Sequence, residues 1–195
     1  MRLFGCGDGG VRVSVELAVR ADSGLGDGQG SGIWHLAVWG DRVACGCTDG
    51  GIRVWSLETL GPERTLRGHE GRVYALAVSG GRITSSSNEG TLLVWSFETC
   101  GGVQTVQAYP SWSSQHIAAL AVCGSALVGG SVGWSASEER EVRVSDLETL
   151  WPLHALRQPA RGNVFSLVSD GREVWGVLGR QVVVWGRRGV TGGGA

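Results

Sequence analysis

Apolar and polar residues alternate with a period of two along several short stretches of this chain. In the run IWHLAVW, Ile33, His35 and Ala37 fall on one side of an extended strand, and Trp34, Leu36 and Val38 on the other. The alternation returns in VYALAV from Val73, IAALAV from Ile117 and VFSLV from Val164. Each stretch is followed by a very short turn signal, Gly40-Asp41, Gly80-Gly81, Gly124-Ser125 or Asp170-Gly171, of the kind that supplies the positive φ a tight hairpin demands. A second turn, Asp49-Gly50 or Glu89-Gly90, leads into a further strand, and in the third stretch a longer loop from Trp134 to Glu141 takes its place. The pattern predicts antiparallel meanders.

These stretches are copies of one another. IWHLAVWGDRVACGCTDGGIRVWSLETL, VYALAVSGGRITSSSNEGTLLVWSFETC and IAALAVCGSALVGGSVGWSASEEREVRVSDLETL lie over one another, and the shorter VFSLVSDGREVWGVLGRQVVVWG keeps their order. Equivalent positions Ser14, Trp55, Trp95, Ser145 and Trp185 are separated by 41, 40, 50 and 40 residues. Such spacing fits a four-stranded propeller blade of roughly 40 to 45 residues, with one insertion of about ten. Blades are expected near 1–30, 31–71, 72–115, 116–162 and 163–186, and a glycine-rich tail over 187–195.

The second copy runs from Gly68-His69 through Ser85, Ser87, Glu89 and Gly90 to Trp95-Ser96, and in this it resembles the WD-repeat family. The resemblance implies an all-β propeller of WD-repeat type with about four and a half four-stranded blades. It also implies a buried tetrad that fastens a loop to its own sheet, with His69, Ser87, Glu89 and Trp95 as the nearest equivalents. Asp8, Asp49, Trp55 and Trp185 keep register with that pattern. Cys6 and Cys47 stand where serine is usual, Ser14 and Ser145 replace the tryptophan, and only one copy keeps Gly-His. The short first hairpins look like those of WD domains attached to F-box, RING or zinc-finger modules. The first segment, RLFGC, reads as a second strand and the last, QVVVWG, as a third. A ring closed by its own ends, an assembly completed by another chain and a piece of a longer propeller are the three readings of this, and the last is the expectation.

Composition adds limits. The 34 glycines, nine tryptophans and four prolines suit many short strands with large flat side chains between sheets. A net charge of -1 gives no electrostatic trap for nucleic acid, and all 17 basic residues are arginine. No apolar run approaches the roughly 18 to 20 residues of a membrane-spanning helix. Five cysteines without disulfide-framework density, and an N-terminus without a basic-then-apolar leader, lead to an expectation of cytoplasm, with the nucleus as an option.

Motifs of chemistry are weaker than the repeat that contains them. Gly5-Cys6-Gly7-Asp8-Gly9-Gly10 fits G-x-G-x-x-G, but the strand-like VRVSV follows where a phosphate-holding helix is required. Gly129-Gly130-Ser131-Val132-Gly133 fits G-x-S-x-G, with Asp146 and His154 after it, yet a nucleophile elbow needs a strand-to-helix turn on a parallel sheet. Cys45 and Cys47 share a strand face without a second ligand pair, and read as core residues. His35, His116 and His154 have no carboxylate arrangement that makes a base. No cofactor, metal or catalytic residue is expected. The loop around Trp134, with Glu138, Glu139, Arg140 and Glu141, is expected to be solvated.

The expected function is a protein-interaction scaffold or adaptor that binds other proteins or peptides. A substrate-recognition part of a ubiquitin ligase is the alternative, and a hydrolase ranks below it. By resemblance, residues that begin the first strand of each copy or flank the turn acid point to the partner face: Trp34, Arg72, Tyr74, Asn88, His116 and Phe165. Aromatic residues and arginine dominate many binding surfaces because they bury area with little loss of side-chain freedom.

Overall fold

The computed structural model describes residues 31–96, 102–107, 116–132, 141–157, 163–178 and 181–186. The chain divides into two compact units, residues 1–31 and 32–195, and every described strand belongs to the second. The expected first blade with Cys6 and Asp8, the loop around Trp134 and the tail 187–195 lie outside the described residues.

Fifteen described strands form four sheets, each an antiparallel meander in chain order. The first sheet holds β1 (Ile33–Trp39), β2 (Arg42–Cys47), β3 (Ile52–Ser56) and β4 (Pro62–Leu66). The second holds β5 (Val73–Ser79), β6 (Arg82–Ser87), β7 (Thr91–Ser96) and β8 (Gly102–Gln107). The third holds β9 (His116–Cys123), β10 (Ala126–Val132), β11 (Glu141–Asp146) and β12 (Pro152–Arg157). The fourth is three-stranded: β13 (Val164–Ser169), β14 (Glu173–Leu178) and β15 (Gln181–Gly186). Gly40, Gly80, Gly81, Gly124 and Gly171 occupy the left-handed region at the hairpins between first and second strands, where a Cβ is strained.

The simple alternation predicted for β1 breaks at its start. Ile33 pairs with Cys47 and His35 with Gly46, so Trp34 is an extra residue without a ladder partner of its own. Ile33 therefore joins the face of Leu36 and Val38, not that of His35 and Ala37 as strict alternation requires. The same irregularity recurs between Val73 and Ala75, between Ile117 and Ala119, and between Val164 and Ser166. The bulged residues are thus Trp34, Tyr74, Ala118 and Phe165, one per sheet.

Consecutive sheets pack through one recurring joint. The forward face of each sheet offers small or flat residues on the first strand and β-branched or leucine residues on the third; the next sheet offers bulky first-strand residues. Ala44, Ile52 and Val54 of the first sheet meet Val73, Leu76, Ile83 and Trp95 of the second. Ala75, Ala77, Leu92 and Val94 then meet Ile117, Leu120 and Leu127, and Ala119, Ala121 and Val142 meet Val164, Leu167 and Val174. The fit is tight: a Cβ at Gly46 would lie 2.7 Å from Val73 Cγ1, and one at Gly130 would overlap Val164 Cγ1. Ser86, at the matching place in the second sheet, instead donates its hydroxyl to the Ile117 carbonyl at 2.8 Å. The fourth sheet departs from this rule. Val177 stands at the Gly46 position, and Val168, Val177, Val182 and Val184 are all exposed.

Candidate functional site

Two groups of polar and aromatic residues stand out, one closed and one open. The closed group lies in the second sheet. Across β6 and β7, Ile83 pairs with Trp95 and Ser85 with Leu93, so the indole of Trp95 reaches diagonally to Ser85. Trp95 Nε1 donates to Ser85 Oγ at 2.8 Å, and Ser85 Oγ lies 2.7 Å from His69 Nε2. His69 Nδ1 lies 2.7 Å from Glu89 Oε1, which also accepts from Thr91 Oγ1 at 2.6 Å. Glu89 Oε2 accepts the Glu70 backbone N–H at 3.1 Å. One assignment of protons satisfies every member: Trp95 donates to Ser85, Ser85 to neutral His69, and His69 through Nδ1 to Glu89.

Burial lowers the His69 pKa, and Glu89 and Ser85 offset this only in part, so the neutral ring this relay requires is the form held. For Glu89, burial by itself acts upward, but hydrogen bonds from Thr91, His69 and the Glu70 amide outweigh it and hold the carboxyl below its ordinary value. The serine of this relay is Ser85, whereas the sequence pattern assigned Ser87. Ser87 lies one pleat further along the same face, where its hydroxyl donates to Asn88 Oδ1 at 3.3 Å.

Ser85, His69 and Glu89 follow the order of a hydrolase triad, but the Ser85 oxygen already accepts the Trp95 N–H and its residue is fully buried. No approach to a substrate carbonyl is open to it. Ser131 sits within β10 and not at an elbow; it is fully buried, and its Oγ accepts the Glu141 N–H at 2.7 Å. Cys45 is pushed up to about 12 by burial, which keeps it an inert thiol, and Cys47 donates to the Cys45 carbonyl at 3.5 Å. Among the described residues no group of three or more His, Cys, Asp or Glu is placed to hold a metal ion. Asp49 pairs with Arg53 at 2.7 Å and caps the Gly51 N–H at 3.1 Å; Trp55 is buried in the first sheet, and Trp185 packs against the third core cluster.

The open group is built by the bulges. Trp34 and Tyr74, extra residues of β1 and β5, stand edge to face with centroids 5.6 Å apart, and the Tyr74 ring stacks on His116 at 4.2 Å. The guanidinium of Arg72 lies 4.8 Å from the Trp34 centroid, a cation–π contact. Four of the six residues expected at the partner face thus form one continuous stack, Arg72–Trp34–Tyr74–His116, across three sheets. Asn88 joins it through the backbone, its N–H donating to the Arg72 carbonyl at 3.1 Å. Phe165 occupies the fourth bulge and is 67% exposed; Trp34 is 53% exposed, while His116 is buried. Their residue types are readable in the sequence. The stacking is not, because a bulge leaves no mark in a period-two pattern.

Comparison with known proteins agrees with this architecture. The sequence profile described as "WD domain, G-beta repeat" matches residues 60–96. No curated protein matches the chain. Among solved structures, the computationally designed Ika4 protein is similar at 26% identity and TM-score 0.63, over 82% of this chain and 94% of that one. The designed Ika8 protein is similar at 26% identity and TM-score 0.62, over 82% of this chain and 47% of that one. The U3-55K structure shares the fold at 20% identity and TM-score 0.68, over 82% of this chain and 50% of that one. The chain therefore spans about half the length of the latter two. With the WD repeat matched at residues 60–96, and a meander of the same kind built again in the neighbouring sheets, the chain carries a WD repeat and has a β-propeller fold of WD-repeat type.

Proposed function

We propose that this protein is an adaptor that holds other proteins or peptides against the rim where its first strands bulge, and that it carries out no chemistry itself. The observation that carries the reading is the Arg72–Trp34–Tyr74–His116 stack, a set of large flat side chains held in place by three separate sheets. Rings fixed in this way lose little freedom on contact with a partner, so the area they bury converts efficiently into affinity. The absence of catalysis is supported by the two serines with hydrolase-like surroundings, Ser85 and Ser131, both sealed in the sheets and engaged in hydrogen bonds.

The test is affinity capture with the whole chain as bait, set beside Trp34→Ala and Tyr74→Ala variants checked for folding by circular dichroism. The adaptor reading expects partners recovered with the parent chain and lost from both variants. Equal recovery from the folded variants overturns the rim as the partner face.

A further inference from the structure

The first two joints between sheets share their register but not their filling, and they differ at the hairpin ends of the strands. Trp39 closes β1 and pairs with Arg42; Ser79 closes β5 and pairs with Arg82. Two residues further in, Ala37 pairs with Ala44 and Ala44 with Val54, while Ala77 pairs with Thr84 and Thr84 with Val94. These positions lie on the face that meets the next sheet. In the first joint the Trp39 side chain packs against the core there. In the second joint serine stands in its place, and a cavity of about 230 Å³ opens between Ser79, Thr84 and Val94 of the second sheet and Leu147 and Glu148, from the turn after β11.

The lining is sorted by depth. Val94 is buried and Leu147 packs against the second core cluster, so the inner wall is apolar. Glu148, and Arg82 at the edge, are exposed, which leaves the inner part without charge. Thr84 is the buried polar residue of the lining, at 4% exposed, and among the described residues no hydrogen bond engages its hydroxyl. Its neighbours Ser85 and Ser86 are both engaged. A buried hydroxyl without a partner is costly, and a ligand that supplies one recovers that cost.

We propose that this cavity is a binding site for an indole ring, which takes the place that Trp39 fills in the first joint and donates its N–H to Thr84 Oγ1. An apolar cavity of roughly 150 Å³ is enough to hold benzene, and the larger space here accommodates a fused second ring. The donated N–H repeats what Trp95 Nε1 does for Ser85 Oγ in the same sheet, at 2.8 Å. The site is at the β5–β6 hairpin, the opposite end of β5 from its bulge, and it stands whether or not the bulged rim is the partner face.

The probes are indole, benzothiophene and N-acetyltryptophanamide, each titrated with the whole chain and followed by ligand-observed NMR. The parent chain is expected to bind indole and to prefer it to benzothiophene, a fused ring of similar shape with no N–H to donate. Ser79→Trp supplies the missing side chain from within and is expected to abolish indole binding without lowering the denaturant midpoint. Thr84→Val keeps the shape of the wall and is expected to weaken indole about threefold or more, the size of one lost hydrogen bond, while benzothiophene is unchanged. No indole binding by the parent, or undiminished binding by folded Ser79→Trp, overturns the proposal. Should Ser79→Trp fail to fold, Ser79→Leu fills part of the same space, and undiminished binding there overturns it equally. A Thr84→Val variant that keeps the parent's preference for indole overturns the assignment of the ring N–H to Thr84, and the proposal with it. Tighter binding of N-acetyltryptophanamide than of indole supports a tryptophan side chain of a partner as the source of the ring, and the reverse order supports a free indole compound.

Discussion

Ser85 carries more hydrogen bonding than its size suggests, since its single oxygen joins an indole to an imidazole inside a sheet. Its removal leaves two buried groups without partners, and each such group costs about 1 to 3 kcal/mol. Ser85→Ala is therefore expected to destabilise the fold by about 2 kcal/mol or more in urea denaturation. Ser87→Ala, which removes two long contacts, 3.3 Å to Asn88 Oδ1 and 3.5 Å from the Glu89 N–H, is expected to cost less than about 1 kcal/mol. The reverse order of these two variants would place the relay on the wrong serine. The same region sets a response to acid. His69 and His35 are both held below their ordinary value of 6.5 by burial, and His35 Nδ1 accepts the Leu76 N–H of the next sheet at 3.3 Å, which only a neutral ring can do. A group with a lowered folded-state pKa takes up its proton first in the unfolded chain. Its stabilisation is thus complete above about pH 6.5 and is lost as the pH falls toward the folded value. The denaturant midpoint is expected to drop on acidification from pH 7 to 5, and less steeply in His69→Gln.

At the level of strands and turns, the sequence was most informative where period two met a tight turn. The alternating runs from Ile33, Val73, Ile117 and Val164 and the hairpins at Gly40, Gly80, Gly124 and Gly171 lie where the pattern placed them. What it did not disclose follows from cross-strand register. Serine at 85 and at 87 obeys the same alternation, and only the pairing of Ile83 with Trp95 shows which of them the indole reaches. A bulge likewise changes no residue type, so the aromatic positions were recognisable while their mutual contact was not. One further element carries no mark in the alternation: the turn after the third strand, LETL, which occurs in the first and third sheets. Ser56 and Asp146 each accept two successive backbone N–H groups there, and the turn closes with Leu60 and Leu150 in the left-handed region at φ 54 and 56. Such a φ strains any residue with a Cβ. Leu60 is 43% exposed and Leu150 is buried in the second core cluster, so relief and loss can be separated. Leu60→Gly is expected to stabilise by up to about 1 kcal/mol, whereas Leu150→Gly forfeits a packed leucine and destabilises by about 2 to 5 kcal/mol. Thermal melts of the two variants that shift in the same direction would contradict this account of the turn.

Across the whole described unit, stability comes from repetition of one joint, and the same position can be compared inside and outside it. Ile52, Leu92 and Val142 share a place on the third strand of the first three sheets and are 0%, 4% and 0% exposed; Val182 holds that place in the fourth sheet and is 71% exposed. A charged side chain at Leu92 must enter the core without a partner, and burial of an unpaired charge is among the few changes that unfold a domain outright. At Val182 the same charge stays in water and interrupts an apolar patch shared with Val168, Val177 and Val184. Leu92→Arg is therefore expected to abolish the cooperative melt, while Val182→Arg shifts it by no more than about 0.5 kcal/mol and reduces association during size-exclusion chromatography. Val177 makes the contrast sharper. The joints need glycine or serine at its position, as the close approach of Val73 to Gly46 and of Val164 to Gly130 requires. Gly130→Val is expected to cost at least about 1 to 3 kcal/mol by overpacking the third joint, and Val177→Gly to leave the melt nearly unchanged. If Val177→Gly or Val182→Arg proved as damaging as their counterparts inside the joints, the fourth sheet's outer face would have to be packed in solution like the other three.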